Sequence, residues 1–502
     1  MSDATTNPDP VEPPDDDTRR QAERSALGKQ AVKGSAWTLM RFGAGQLLRF
    51  ISNVVFTYLL FPEAFATMMI VNAVIQGLQM FSDIGIGPSV VQHARGDDRR
   101  FLNTAFTMQV VRGGVLALVC LALTYPAAAF YAEKDPAAWD LLRLLPFTAL
   151  SLFINGFQST KIHTASRHLS LARVTMLDLA SQVAGIVVTM AYALIHRDVL
   201  ALVLGALCSA IVRTVGSHLM LPGESNRFGW ERSAVKSIVG FGGWIFFSTI
   251  ASFFAMQLDR LVFPRAFAFG DSGVYSIAAN LAGMVPAVVG SLQLAVVFPL
   301  YSRMAQGGHE IGPQLQQVKR AVYAVAGLLL CCVIAGSDAM VRLVYASEYH
   351  EAAWMMSLLA VGAWFQIIES MYGAALLARG CARLVAFANA AKPIAFAIWF
   401  ACVDEVRIVD AIVVWTLADV LKGVVAMWGA SQQRVLTLGL DLRMTALALG
   451  SGGVLWWGAQ QLREALEVPP MVELPLVGVV ALLMFLPVLL PGIRTLKKRK
   501  TP

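Results

Sequence analysis

The feature that most constrains this chain is the recurrence of apolar runs of about 20 residues, split by short polar breaks, from Ala36 to near the C-terminus. A hydrocarbon core about 30 Å thick needs about 20 such residues per spanning helix, and inside it each segment must satisfy its own backbone polar groups. The pattern therefore predicts an all-α polytopic membrane protein with about 14 transmembrane helices. Composition agrees: 57% of the 502 residues are hydrophobic and 15% charged, with a mean hydropathy of +0.61, which excludes an ordinary water-soluble fold.

The runs group as six in residues 36–220, six in 234–430 and two in 443–491. This predicts two six-helix lobes around a central cavity, plus an extra C-terminal helix pair. The seventh span is expected over Ala234 to Leu258 and the thirteenth, the shortest, over Met444 to Gly458. Residues 1–35 are acidic and Pro-rich, then basic, without the apolar core of a signal peptide, so a disordered cytoplasmic tail and an interfacial helix are expected there. Residues 492–502 read as a basic cytoplasmic tail. A short repeat supports two related halves: FPEAFA (Phe61 to Ala66) and FPRAFA (Phe263 to Ala268) each follow a span that bears a Trp near its start, Trp37 or Trp244.

The net charge of +7 and pI near 9.1 could suggest nucleic acid, but Lys and Arg cluster between the apolar runs and not on one soluble face. Alternate loops and the two tails hold 27 of the 40 basic residues, whereas the opposite loops collect seven, among them Lys134, Arg197, Arg260 and Arg342. By the positive-inside rule both termini are cytoplasmic, in a multi-pass inner-membrane protein with no nucleic-acid partner. Six cysteines without CxxC or Cys/His spacing suggest neither disulfide nor metal site, and no cofactor is expected. No loop exceeds about 20 residues, so function is expected within the bilayer.

Ionisable side chains inside spans are expensive and mark cavities or partners. Arg49 lies about 20 Å along its helix from Ala36, too deep for easy snorkelling. Arg41, eight residues earlier, falls about 80° away on the same broad face. Arg112 sits inside the third span and could join the same field. The three arginines are candidate pyrophosphate ligands, because guanidinium forks bind phosphate oxygens bidentately. The alternative for Arg41 and Arg112 is to reach back to the headgroups. Asp178, Glu369, Asp419, Lys422 and Asp83 are candidates for ion coupling or for cavity ion pairs. Asp419 and Lys422 have the spacing of an i,i+3 pair, and Asp83 precedes a Gly85-Ile86-Gly87-Pro88 stretch expected to end the second span. Asp259 and Arg260 are expected at the hydrated outer end of the seventh span.

Several segments together resemble the polysaccharide-transport family of oligosaccharide flippases, within the multidrug/oligosaccharidyl-lipid/polysaccharide exporter superfamily. They are GSAWTLMRFGAGQLLRF (Gly34 to Phe50), FSDIGIGPSVVQ (Phe81 to Gln92), FGGWIFFSTIASFFAMQLDRLVF (Phe241 to Phe263), GVYSIAANLAGMVP (Gly273 to Pro286) and VFPLYSRM (Val297 to Met304). The resemblance implies alternating-access movement of an undecaprenyl-pyrophosphate-linked oligosaccharide repeat unit to the outer leaflet, for exopolysaccharide, capsule or O-antigen synthesis. It also implies an arginine-bearing cavity, mapped here onto Arg49, Arg41 and Arg112. Partners would be the lipid-linked oligosaccharide, membrane lipids, polysaccharide polymerase or export machinery, and a coupling proton or sodium ion. A lipid-linked peptidoglycan precursor flippase would share fourteen spans and a cationic cavity, and a cation-coupled drug antiporter of the same superfamily is a more distant alternative. A membrane enzyme would usually need a larger polar loop or a carboxylate motif at the membrane surface, so no enzymatic activity is expected.

Overall fold

The computed structural model of the protein describes residues 43–498 apart from 84, 169, 243–244, 294–296, 298–300, 302–311 and 467. The N-terminal tail, Trp37, Arg41 and Trp244 lie outside the described residues. Among those described there is no strand. Fourteen long helices follow in order: α1 over 43–59, α2 Pro62–Phe81, α3 Arg99–Ala132, α4 Leu141–Gly156, α5 Leu171–His196, α6 Leu200–Leu219, α7 Ile245–Ala266, α8 Phe269–Leu292, α9 Gly312–Val344, α10 Ala352–Ala378, α11 Ala382–Cys402, α12 Ile408–Gln432, α13 Leu438–Leu466 and α14 Pro470–Lys498. Ten are long and apolar enough to cross a membrane on length and composition. Two that fall short, α7 and α12, carry Asp259, Arg260, Asp419 and Lys422, the charges that later line the cavity.

Local chemistry sets the helix ends. Pro62 opens α2, where a fixed φ and a missing N–H are tolerated. The helix stops at Phe81, and Gly85 adopts φ 74° while its N–H donates to Asp83 Oδ1 at 2.9 Å. Asp98 caps α3 by accepting from the Arg100 N–H at 2.9 Å. Small residues then let backbones meet. The Gly113 face of α3 lies against Gly156 of α4, and Gly205 of α6 against Gly185 of α5, so closely that a Cβ at any of them would strike a backbone atom.

Helices α1–α6 form the first lobe and α7–α12 the second. Call the side bearing the Lys- and Arg-rich loops the basic side and the other the far side. Toward the far side one hydrophobic cluster unites both lobes: Phe56, Leu60 and Phe65 pack with Phe263, Tyr275, Tyr349, Phe396 and Trp415. The seam is tight. Tyr349 Oη donates to the Leu60 carbonyl at 2.8 Å, Tyr131 Oη to the Leu261 carbonyl at 2.9 Å, and Arg265 pairs with Glu133. At Gly273 the first turn of α8 meets the start of α2, and a Cβ there would lie 1.9 Å from the Pro62 carbonyl oxygen. Toward the basic side the lobes keep separate cores, one around Ile86, Phe101 and Ile238 and one around Tyr323, Trp364 and Tyr372. There α7 still lies along α2, with the Phe253 ring against Gly77 and Phe81. The described contacts between the lobes are richest toward the far side, and toward the basic side they continue where α7 lies along α2.

The seventh span ends later than expected. Ala234 and Ile238 of the helical stretch Arg232–Gly242 pack on the first lobe, and α7 runs on to Ala266, beyond the expected end at Leu258. The two hexapeptides are not equivalent in place: FPEAFA opens α2, whereas FPRAFA closes α7. The inter-lobe linker is fastened to α3. The N–H groups of Arg227, Gly229 and Glu231 donate to the side chains of Asn103, Thr107 and Thr104, and Glu231 pairs with Arg95 at 2.8 Å. The Arg95 guanidinium and the Ser233 hydroxyl hold the Glu231 carboxyl down to about 2.

The extra pair packs on α9. Phe485 sits against Gly327, Ile334 against Gly452 and Leu474 against Gly336. A buried charge cluster fixes its start: Lys319 Nζ lies 2.5 Å from Asp441 Oδ1 and 3.5 Å from the Tyr372 ring centroid, and Tyr323 and Tyr372 both donate to the carboxylate. At 29 residues α13 is longer than its apolar core suggests, and α14 continues through Lys498 into the expected basic tail.

Candidate functional site

Between the lobes lies a cavity of about 610 Å³, lined by Arg49 of α1, Gln76 of α2, Asp259 and Arg260 of α7, Tyr275 of α8, Gln366 and Glu369 of α10, Lys392 of α11, and Asp419 and Lys422 of α12. Glu369, Lys392, Asp419 and Lys422 stand well inside their helices, nine or more residues from either end. Four cations face three carboxylates.

Two of the three carboxylates are paired with lysines, and the third, Asp259, is bonded to a phenol through one oxygen while its Oδ1 is buried without a partner. Lys392 Nζ sits 2.8 Å from Asp419 Oδ1 and 2.9 Å from Oδ2, and 3.7 Å from the Trp415 ring centroid, with both members of the pair at 4% side-chain exposure or less. Gln366 Nε2 donates to Asp419 Oδ2 at 3.1 Å. Lys422 pairs with Glu369 at 3.1 Å. Asp259 Oδ2 accepts from Tyr275 Oη at 2.6 Å. Asp419 and Lys422, spaced for an i,i+3 pair, thus each pair with a different helix. Packing α10, α11 and α12 side by side offers each charge a partner across the interface, with less solvent between them than on a helix surface.

The remaining cations are Arg49 and Arg260. Neither has a carboxylate partner within ion-pair distance among the described residues. Arg49 is exposed to the cavity, and Arg260 touches only the Asn280 carboxamide, at 3.3 Å. Guanidinium groups keep their charge in such a setting and present forked donors that match phosphate oxygens.

The other sequence candidates lie elsewhere. Arg112 does not join the central field. It lines a second pocket of about 490 Å³ inside the first lobe, where its Nε donates to Ser82 Oγ at 2.9 Å and its guanidinium to the Gln79 carbonyl at 2.7 Å. It therefore satisfies a carbonyl in the last turn of α2, which helix geometry leaves open. Asp83 lines the same pocket and caps Gly85. Asp178 pairs with Arg213 at 2.8 Å within the first lobe, and Arg213 also donates to Gln158. Arg41 lies outside the described residues.

Two site residues escape a reading of the sequence. Lys392 stands in the middle of α11 with Pro393 beside it. Its signal was an isolated lysine within the apolar stretch AFANAAKPIAFAIWF. Arg260, placed at a hydrated helix end, lies six residues before the close of α7, about 9 Å deeper.

With this geometry in view, a family profile described as "Polysaccharide biosynthesis protein" matches residues 55–354. The chain is 21% identical over 335 residues to the succinoglycan biosynthesis transport protein ExoT of Rhizobium meliloti (strain 1021), an alignment that spans 66% of each chain. It is 20% identical to the lipopolysaccharide biosynthesis protein WzxC of Escherichia coli (strain K12), across 70% of this chain and 71% of that one. Among solved structures it is similar in fold to the lipid II flippase MurJ in an inward closed conformation, with TM-score 0.64, 11% identity, and coverage of 93% and 99%. It is likewise similar to an inward-facing multidrug resistance MATE family transporter of the MOP superfamily, with TM-score 0.64, 14% identity, and coverage of 80% and 95%.

Proposed function

Because the chain belongs to the polysaccharide biosynthesis protein family, we propose that it is a flippase that moves an undecaprenyl-pyrophosphate-linked oligosaccharide repeat unit across the inner membrane by alternating access, without a covalent step. The observation that carries this reading is the pair Arg49 and Arg260, cations without a carboxylate partner among the described residues, in a cavity where four cations face three carboxylates and both lysines are already paired. Holding unpaired charge at membrane depth is costly, and an anionic ligand offsets that cost. A pyrophosphate is such a ligand, whereas a cationic drug meets a net positive wall.

By the positive-inside rule the basic side is cytoplasmic, the face on which a lipid-linked precursor is assembled. The polyprenyl tail stays in lipid while the headgroup enters between the lobes. Release to the other face requires the far-side seam to open as the basic side closes. Glu369 and Asp419 are the carboxylates that a coupling proton or sodium ion would reach from the cavity, in exchange for their lysines. A peptidoglycan precursor carries the same pyrophosphate, and the family match ranks the polysaccharide unit ahead of it.

The test is complementation of a strain lacking its polysaccharide flippase, scoring surface polymer with the wild-type protein and with Arg49→Ala at matched expression. Polymer restored by the wild type and reduced at least ten-fold by the substitution supports the reading. Polymer that survives Arg49→Ala removes the arginine from the site, and none from well-expressed wild type in hosts of several polymer types counts against the function.

A further inference from the structure

A second cavity of about 270 Å³ lies next to the cationic one, lined by Asn53, Asn72, Gln182, Ser209, Asn280 and Arg260. Its chemistry differs. Arg260 borders both cavities, and apart from it the polar groups here are uncharged carboxamides and hydroxyls.

The two cavities adjoin along the same helices. On α1 Asn53 follows Arg49 by four residues, and on α2 Asn72 precedes Gln76 by four, which places each pair on one face about 6 Å apart along the axis. On α8 the linings interleave, Ser276 and Asn280 bordering the smaller cavity and Tyr275, Ala279 and Gly283 the larger. The smaller cavity therefore lies beside the cationic one, with Arg260 between them.

Four of these groups are also unused. Asn53, Asn72, Gln182 and Ser209 have no side-chain hydrogen-bond partner among the described residues, and Gln182 Oε1 is buried with none. Convergent amides without partners at membrane depth leave donors and acceptors for a ligand or water to satisfy. Phe56 and Phe65 add apolar wall. The volume equals that of about nine waters at about 30 Å³ each, room for one sugar ring and not for a whole repeat unit.

The geometry points to a saccharide subsite in this pocket that takes the sugar ring bonded directly to the pyrophosphate held by Arg49 and Arg260. It rests on the flippase reading above. Arg260 borders both cavities, so a pyrophosphate held there presents its attached ring to the carboxamides. On α1 one helical turn separates Arg49 from Asn53, about the spacing between a phosphate and its attached ring. Sugars beyond the first would occupy the larger cavity.

The test uses the full chain in lipid nanodiscs and four probes: geranylgeranyl pyrophosphate, and its glucosyl, galactosyl and N-acetylglucosaminyl derivatives. Wild-type protein is expected to bind at least one sugar probe ten-fold or more tightly than the bare pyrophosphate. Asn72→Leu and, separately, Gln182→Leu are expected to bring that ratio to within two-fold of one, with folding checked by monodispersity and by retained binding of the bare probe. Arg49→Ala should weaken all four probes. Equal affinity of the wild type for bare and sugar-bearing probes overturns the subsite and leaves the pyrophosphate reading standing. A preference that persists in both leucine variants also overturns it. Failure of every probe to bind, or binding indifferent to Arg49, overturns the flippase reading and the subsite together.

Discussion

Gly273→Ala should push the protein out of the conformation described here. The Cβ of alanine would stand 1.9 Å from the Pro62 carbonyl oxygen and 2.5 Å from its carbon, both backbone atoms with no rotamer to yield. To reach a tolerable separation of about 3.0 Å, α8 and α2 must part by just over 1 Å at the centre of the far-side seam. Overpacking of this kind costs about 1 to 3 kcal/mol. In an alternating-access cycle that cost falls only on the state with the seam closed, so it shifts the equilibrium toward far-side opening by about 5- to 150-fold. Ser276, one turn along α8 and buried, is a suitable reporter as Ser276→Cys, in a background where the exposed native Cys402 is serine. A membrane-impermeant maleimide added from the far side should label it at least five-fold faster with Gly273→Ala than without. Labelling within two-fold of the parent, at equal amounts of folded protein, would show that the seam does not depend on this contact. Slower labelling would reverse the sign of the argument.

Lys392→Met should destabilise the second lobe by about 3 to 5 kcal/mol, because Asp419 keeps only Gln366 as a hydrogen-bond partner in a buried setting. The double variant Lys392→Met/Asp419→Leu should recover most of that loss, and denaturation in micelles reads both. Equal loss in the single and double variants would mean the pair is not coupled. Lys319→Met should loosen the extra helix pair where it docks, so limited proteolysis is expected to cut between α12 and α13 faster than in the parent. An unchanged cleavage rate would move the anchoring role to the α9 packing around Phe485.

Much of the architecture was readable before any coordinates. The number and order of helices follow from apolar run length, and the break after Phe81 follows from Gly85 and Pro88, because these depend on local backbone chemistry and the thickness of the bilayer. Arg49 was legible for the same reason: depth along a single helix is a one-dimensional quantity. Charge depth failed where a helix end was misjudged: a seventh span that stops at Leu258 puts Arg260 at a surface, whereas α7 runs on to Ala266.

Partnership was not legible at all. The i,i+3 spacing of Asp419 and Lys422 is real, yet each turns to a neighbour on another helix, and Arg112 bonds to the end of α2 and not to a substrate cavity. By itself the sequence determined that this chain is a helical multi-pass membrane protein, on which sides its loops are expected, and which charges fall inside apolar runs. Only the tertiary structure decided which of those charges are paired, that Arg49 and Arg260 share a cavity without a carboxylate partner among the described residues, and that unpaired carboxamides lie beside them. The physical reason is that hydropathy and helix period act along the chain, whereas pairing in a low-dielectric interior depends on which side chains from distant helices come within about 3 Å of one another.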